Sequence, residues 1–190
     1  MAKKTIGFAL CGSFCTFHEV FPVISELIGR DYNVIPIMSE FSYTTDTRFG
    51  KARDFAERLE GLTGNKLLHN IVETEPIGPK AMLDLLIIAP CTGNTLGKMA
   101  AGITDSCVTM AAKAHLRNER PVLIAVSTND ALANSGKNIG NLLNYKQIYF
   151  VPMQQDAPAG KPRSIVAQFG KIPVAAELAL NGEQMQPIYI

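Results

Sequence analysis

The sequence predicts an α/β fold, an open and doubly wound parallel sheet in a single Rossmann-like domain, and three observations predict it. Short apolar runs rich in β-branched residues alternate with segments of helical period, as parallel strands joined by crossover helices require. Two of those runs, residues 84–89 and 121–126, are apolar almost throughout, the composition of strands covered on both faces. Small polar turns follow the strands, and no repeat, low-complexity tract or domain boundary interrupts the pattern.

Taken in order, residues 5–11 read as a buried first strand ended by Gly12-Ser13. Phe14, Phe17, Phe21, Ile24 and Ile28 then recur at spacings of three or four, one face of a helix in which Pro22 marks a kink or a late start. Residues 33–38 read as a second strand with Ser39 at its carboxyl end, and Pro36 places that strand at an edge or an irregular position. Residues 51–62 read as a helix closed by Gly61 or Gly64. The apolar run 84–89 is a central strand ended by Pro90, and helices are expected over 94–101 and 106–116. Residues 121–126 form another central strand, 130–143 a helix, and 147–151 a short strand. The Pro-, Gly- and Ala-rich residues 151–163 read as an exposed loop, and 164–190 as a final helix and tail.

Composition narrows the function classes. Of 190 residues, 47% are hydrophobic, and Lys+Arg 18 against Asp+Glu 17 leave a net charge of +1. Such a balance offers no electrostatic footprint for nucleic acid or an anionic membrane, so neither is expected as a partner. The apolar stretch after Met1-Ala2-Lys3-Lys4-Thr5 is too short for a signal peptide, and no run is long enough to span a bilayer. Cys11, Cys15, Cys91 and Cys107 lack the spacing of a disulfide framework or a zinc site. A cytoplasmic protein with reduced thiols and no metal is the expectation.

In a doubly wound sheet the ligand lies at the carboxyl ends of the strands, where turns present backbone N–H groups and helix dipoles. Gly12-Ser13 is one such turn, although a plain helix cap would look the same. Neither a GxGxxG nor a Walker A sequence is present, which disfavours a dinucleotide or an NTP loop. The stretch Ala89-Pro90-Cys91-Thr92-Gly93-Asn94-Thr95 is more informative, because Gly93 permits an unusual backbone while Thr92, Asn94 and Thr95 add side-chain donors. Ser127-Thr128-Asn129 repeats that chemistry after the next strong strand. Three small, polar, donor-rich turns at the ends of strands suit a phosphate or a polar ring edge.

Here the sequence resembles the flavin-containing cysteine decarboxylase-like flavoproteins, whose Pro-Ala-Ser-Ala-Asn-Thr motif corresponds to Pro90-Cys91-Thr92-Gly93-Asn94-Thr95. Proline, asparagine and threonine are kept. Nearly the whole chain is similar to the family of dipicolinate synthase B subunits of spore-forming bacteria. That likeness rests on stretches such as Thr47-Arg48-Phe49-Gly50, Glu75-Pro76-Ile77-Gly78-Pro79-Lys80, Ser127-Thr128-Asn129-Asp130-Ala131-Leu132 and Gln155-Asp156-Ala157-Pro158.

The resemblance implies flavin mononucleotide (FMN) held by Gly12, Ser13, Ser39, Pro90, Thr92, Gly93, Asn94, Thr95, Ser127, Thr128 and Asn129. It also implies a dehydrogenase-like partner, the A subunit of dipicolinate synthase, with its own NAD(P) site, and a homo-oligomer of this chain. The implied reaction oxidises dihydrodipicolinate, a small dicarboxylate, to dipicolinate during sporulation; the hydride acceptor is the flavin here or the nicotinamide on the partner. The decarboxylases carry a Pro-x-Met-Asn clamp where this chain has Ser127-Thr128-Asn129, which argues against peptide-cysteine or pantothenoyl-cysteine decarboxylation. A stand-alone flavin-dependent decarboxylase or prenyltransferase, or a non-catalytic stabilising subunit, are the other readings.

Two residues stand as catalytic candidates. His18, a turn after Gly12-Ser13, offers an acid–base group or a phosphate contact. Arg48 offers the bidentate guanidinium that a dicarboxylate wants. His69 and His115 read as structural, and Cys91 is not required by the implied reaction even though it lies nearest the central turn.

Overall fold

A computed structural model of the chain describes residues 3–190. Five parallel strands form its centre: β1 (Thr5–Leu10), β2 (Asn33–Met38), β3 (Leu85–Cys91), β4 (Val122–Thr128) and β5 (Ile148–Phe150). Their order is β2-β1-β3-β4, with β5 beside β4. The order reverses between β1 and β3, and that switch point opens a crevice beyond the carboxyl ends of both strands.

Helices cover both faces. They are α1 (Phe17–Gly29), a short α2 (Glu40–Thr44), α3 (Ala52–Thr63), α4 (Ile71–Thr74), α5 (Gly93–Ala100), α6 (Cys107–Leu116), α7 (Asn134–Leu143) and α8 (Ile172–Leu180). One apolar cluster packs Phe8, Leu10 and Ile87 against Phe17, Phe21 and Ile24 of α1 and Ala176 of α8. The other packs Leu86, Ile88 and Ile124 against Leu96, Val108 and Ala111 on α5 and α6. Successive residues of β3 therefore serve opposite cores, and all seven of them are buried. A strand used on both faces needs an unbroken apolar run, and that run is what makes β3 conspicuous in the sequence.

Several boundaries differ from the expectation for identifiable reasons. Phe14–Thr16 is a turn of 3-10 helix, so α1 begins only at Phe17 and carries Pro22 inside it. Gly64, at φ +66, rather than Gly61, ends α3. As Pro36 required, β2 is an edge strand. Pro90 does not end β3: the strand runs on to Cys91 across a register shift after Ile88.

The largest correction concerns residues 151–167. Expected to be a loop running into the last helix, they form a hairpin of β6 (Met153–Gln155) and β7 (Ile165–Ala167). β7 runs antiparallel to the end of β4. The free edge of β4 is thus shared, since β5 takes Val122 to Ile124 while β7 takes Ser127 and Thr128. Only the hairpin tip, 157–163, is the exposed segment expected, and helix α8 starts at Ile172 rather than 164. Three-residue strands carry too little periodicity to be read from sequence. Among the described residues, no helix is long and apolar enough to cross a membrane.

Candidate active site

The carboxyl ends of β1, β3 and β4 bring the three predicted turns together. A cleft of about 890 Å³ is lined by Gly12, Ser13, Thr92, Gly93, Asn94, Ser127, Thr128 and Asn129, all candidates from the sequence. A second cleft of about 580 Å³ lies at the switch point and is lined by Ser39, Thr95 and again Gly12, Thr92 and Asn94. Asn94, exposed at the start of α5, thus borders both.

The turns are tied to one another. Ser13 Oγ and Ser127 Oγ are 2.8 Å apart and joined by a hydrogen bond, coupling the β1 turn to the β4 turn. One of the two hydroxyl hydrogens is spent in that bond, so the pair offers a ligand one donor and several lone pairs. The Thr95 hydroxyl donates to the buried Cys11 Sγ at 3.3 Å, coupling α5 to β1. Pro90 is buried, and its carbonyl oxygen accepts the Cys11 N–H at 3.2 Å. It therefore braces the site from within the sheet and does not line either cleft.

Gly93 is where glycine is required by space. A Cβ there would meet Ser135 Oγ at 2.6 Å, Asp130 Oδ1 at 2.8 Å and Thr128 Oγ1 at 2.8 Å. The missing side chain lets the β3 turn nest against the β4 turn, leaving the first N–H groups of α5 without helical partners and free for an anion. At the other end of the site, Phe41 lies over Gly12, 2.8 Å from the place a Cβ would take.

The sequence pattern assigns no role to Asp130, yet it organises the β4 turn. The Thr128 hydroxyl donates to its Oδ1 at 2.6 Å. That bond, with a further one from the Ser135 hydroxyl, holds the Asp130 carboxyl below the usual carboxylate range despite partial burial. Thr128 consequently faces a ligand as an acceptor, whereas the sequence pattern made it a donor. In the second cleft Glu40 Oε1 accepts the Cys107 N–H at 2.8 Å, placing a carboxylate on the N-terminus of α6. Lys98 there is paired with Asp105 at 2.8 Å.

The buried thiols are inert by the same logic. Burial pushes Cys11 up to about 11 and Cys91 well above the ordinary thiol value, so neither carries thiolate at neutral pH.

The catalytic candidates are placed differently. His18 is exposed on α1 and lines neither cleft; its neighbour Glu19 lines the large one. Helix periodicity turns adjacent residues about 100° apart, which single-residue reasoning near a turn cannot resolve. Arg48 is exposed at the rim, its guanidinium carbon 4.9 Å above the Phe49 ring, while Thr47 and Phe49 on either side line the cleft. His69 stacks on Tyr43 with ring centres 3.9 Å apart and lies 3.3 Å from Glu73, away from both clefts. His115 is buried, its Nε2–H donating to the Pro121 carbonyl oxygen at 3.0 Å.

Other lining residues escape a reading of the sequence alone. Cys15, Thr47 and Phe49 sit beside recognisable motifs, whereas Asp156, Lys161 and Ser164 come from the hairpin whose composition is that of a loop.

Known proteins match the chain over most of its length. The family model described as Flavoprotein matches residues 1–168. The B subunit of dipicolinate synthase from Bacillus subtilis (strain 168) is 46% identical over 187 residues, covering 98% of this chain and 94% of that protein. The crystal structure of the dipicolinate synthase B subunit from Bacillus halodurans C superposes with a TM-score of 0.91 at 44% identity, covering 100% of this chain and 97% of that one. Burkholderia xenovorans DmrB, a cubic protein cage for redox transfer crystallised with FMN, shares the fold alone, with a TM-score of 0.71 at 16% identity over 94% of this chain and 96% of that one. With its switch-point site and a match over most of its length, the chain belongs to the Flavoprotein family and is similar within it to dipicolinate synthase B subunits.

Proposed function

We propose that the chain is the flavin-binding subunit of a dipicolinate synthase, holding FMN and acting in the cytoplasm with a dehydrogenase-like partner, the A subunit, to oxidise dihydrodipicolinate to dipicolinate during sporulation. The observation that carries the reading is the convergence of Gly12-Ser13, Thr92 to Thr95 and Ser127 to Asn129 on one site, in a chain so similar to B subunits. The donor set supports a phosphorylated mononucleotide. Ser13, Ser39, Thr92, Asn94, Thr95, Ser127 and Asn129 supply neutral hydroxyls and amides, Gly12 and Gly93 let the backbone approach, and α5 points its N-terminus inward.

Aromatising the ring removes two hydrogens, formally a hydride and a proton, and bound flavin supplies a two-electron acceptor for the first. The chain's own groups do the remainder. Ser13 and Ser127 hold one another's hydroxyls in place, Asn94 bridges the two clefts, and Asp130 fixes Thr128 as an acceptor. Glu19 is a carboxylate in the large cleft and can accept the released proton, whereas Asp130 is held ionised by its hydroxyl donors. A nicotinamide on the partner, NAD(P), would be the other candidate acceptor for that hydride.

Homo-oligomeric assembly belongs to the same proposal: Phe41 and Phe49, beside the clefts, are 60% and 46% exposed.

The test is turnover. This chain coexpressed with its dehydrogenase-like partner should oxidise dihydrodipicolinate faster than either protein alone, with flavin absorbance in the chain purified by itself. No gain on adding this chain, or a protein that stays colourless after reconstitution, overturns the reading.

A further inference from the structure

The large cleft is lined by three carboxylates, Glu19, Asp130 and Asp156. Among the described residues Lys161 is the one cation lining it; Arg48 and Arg163 are exposed outside that lining. Among the charged side chains lining this cleft, a dianionic substrate meets three like charges and a single opposite one, that ammonium group.

Lys161 is not a free surface lysine. It sits at the tip of the β6–β7 hairpin, and its Nζ is 2.8 Å from Asp156 Oδ2 across the turn. The base of the hairpin is tied to the β4 turn: the Ser164 hydroxyl is 3.3 Å from the Thr128 carbonyl oxygen and 3.4 Å from the same Asp156 oxygen, and the Leu132 N–H donates to the Arg163 carbonyl oxygen at 3.0 Å. Lys161 is therefore presented to the cleft on a braced support and already holds a carboxylate, its own neighbour's.

Resting on the function proposed above, we infer that Lys161 is the carboxylate-recognition residue of this site, with Asp156 occupying its ammonium until a substrate carboxylate displaces it. Asp156 is an intramolecular stand-in for the ligand. It is partly in solvent, so it can be rehydrated on displacement, and it keeps the Ser164 hydroxyl as a partner. An ammonium on a flexible stem suits such an exchange better than a bidentate guanidinium would.

The experiment uses the flavin-loaded complex with the dehydrogenase-like partner and two probes, dipicolinate and the monocarboxylate picolinate. Lys161→Met should weaken dipicolinate binding and raise KM about tenfold, with kcat nearly unchanged, and should erase the preference for the dicarboxylate. Lys161→Arg should restore binding to within about threefold, and Asp156→Asn should tighten it severalfold. Flavin absorbance should be the same in all three. If Lys161→Met binds dipicolinate as the parent does, the assignment is wrong while the proposed function stands. If the parent loads no flavin or gains no turnover with its partner, the proposed function falls and takes the assignment with it.

Discussion

Gly93 and Lys161 line the same cleft and are built on opposite principles. The Cβ position of Gly93 is already filled by Ser135, Asp130 and Thr128, and the turn it belongs to is locked to β1 through Thr95 and Cys11. Lys161 is exposed at a hairpin tip, held by one ion pair that water also reaches. One part of the wall is a frame whose geometry is inseparable from the core. The other is a rim, where charge is presented with little investment in stability. On the function proposed above, a site assembled this way would keep the cofactor position constant while leaving substrate recognition free to vary.

If that division is right, changes in the frame should cost folding and flavin together, and changes at the rim should cost neither. The largest effect belongs to Gly93→Val, which forces atoms into occupied space beside three polar groups. A loss of about 3 kcal/mol is expected, read by urea denaturation, together with loss of flavin absorbance. A variant that folds and binds flavin normally would break the comparison at its strongest point.

Next comes His115, which joins α6 to the start of β4. Burial lowers it from 6.5 to about 4. The unfolded chain therefore binds a proton between those values that the folded chain refuses, so stability is fully present above pH 6.5 and falls as pH drops towards 4. The loss is about 2–3 kcal/mol over that window. His115→Gln should flatten that slope in denaturant melts taken between about pH 4 and 7.

Asp130 lies between frame and rim. Its folded value is depressed, so its contribution is present above the unfolded carboxylate range and lost as pH falls through the folded value. Asp130→Asn should cost about 1 kcal/mol at neutral pH, a gap that closes as pH falls below about 4, measured by thermal melts in both conditions. The smallest effect is expected at the rim: Lys161→Met should leave the urea denaturation midpoint indistinguishable from that of the parent.

Much of this architecture is legible because it is repeated along the chain. β3 and most of β4 are apolar runs, and Pro36 marks an edge, whereas the short helix α2 that Ser39 caps is not expected from the sequence. The three turns are legible because small polar residues follow each strand. The hairpin is not, since strands of three residues owe their existence to the open edge of β4 rather than to their own pattern. His18 is near a cofactor turn in sequence, but the rotation of the helix brings Glu19 to the cleft instead.

By itself, then, the sequence determined the fold class, the order of the central strands' turns and the residue types offered at their carboxyl ends. These follow from local periodicity, from backbone freedom at glycine and from the need to bury two faces of one sheet. Tertiary structure alone decided that Ser13 and Ser127 share a hydrogen bond, that Asp130 takes the Thr128 hydroxyl hydrogen, and that Lys161, from the far end of the chain, lines the same cleft as Ser13. The reason is that hydrogen-bond roles and electrostatic neighbours depend on distances between segments, and a one-dimensional pattern encodes only spacing within them.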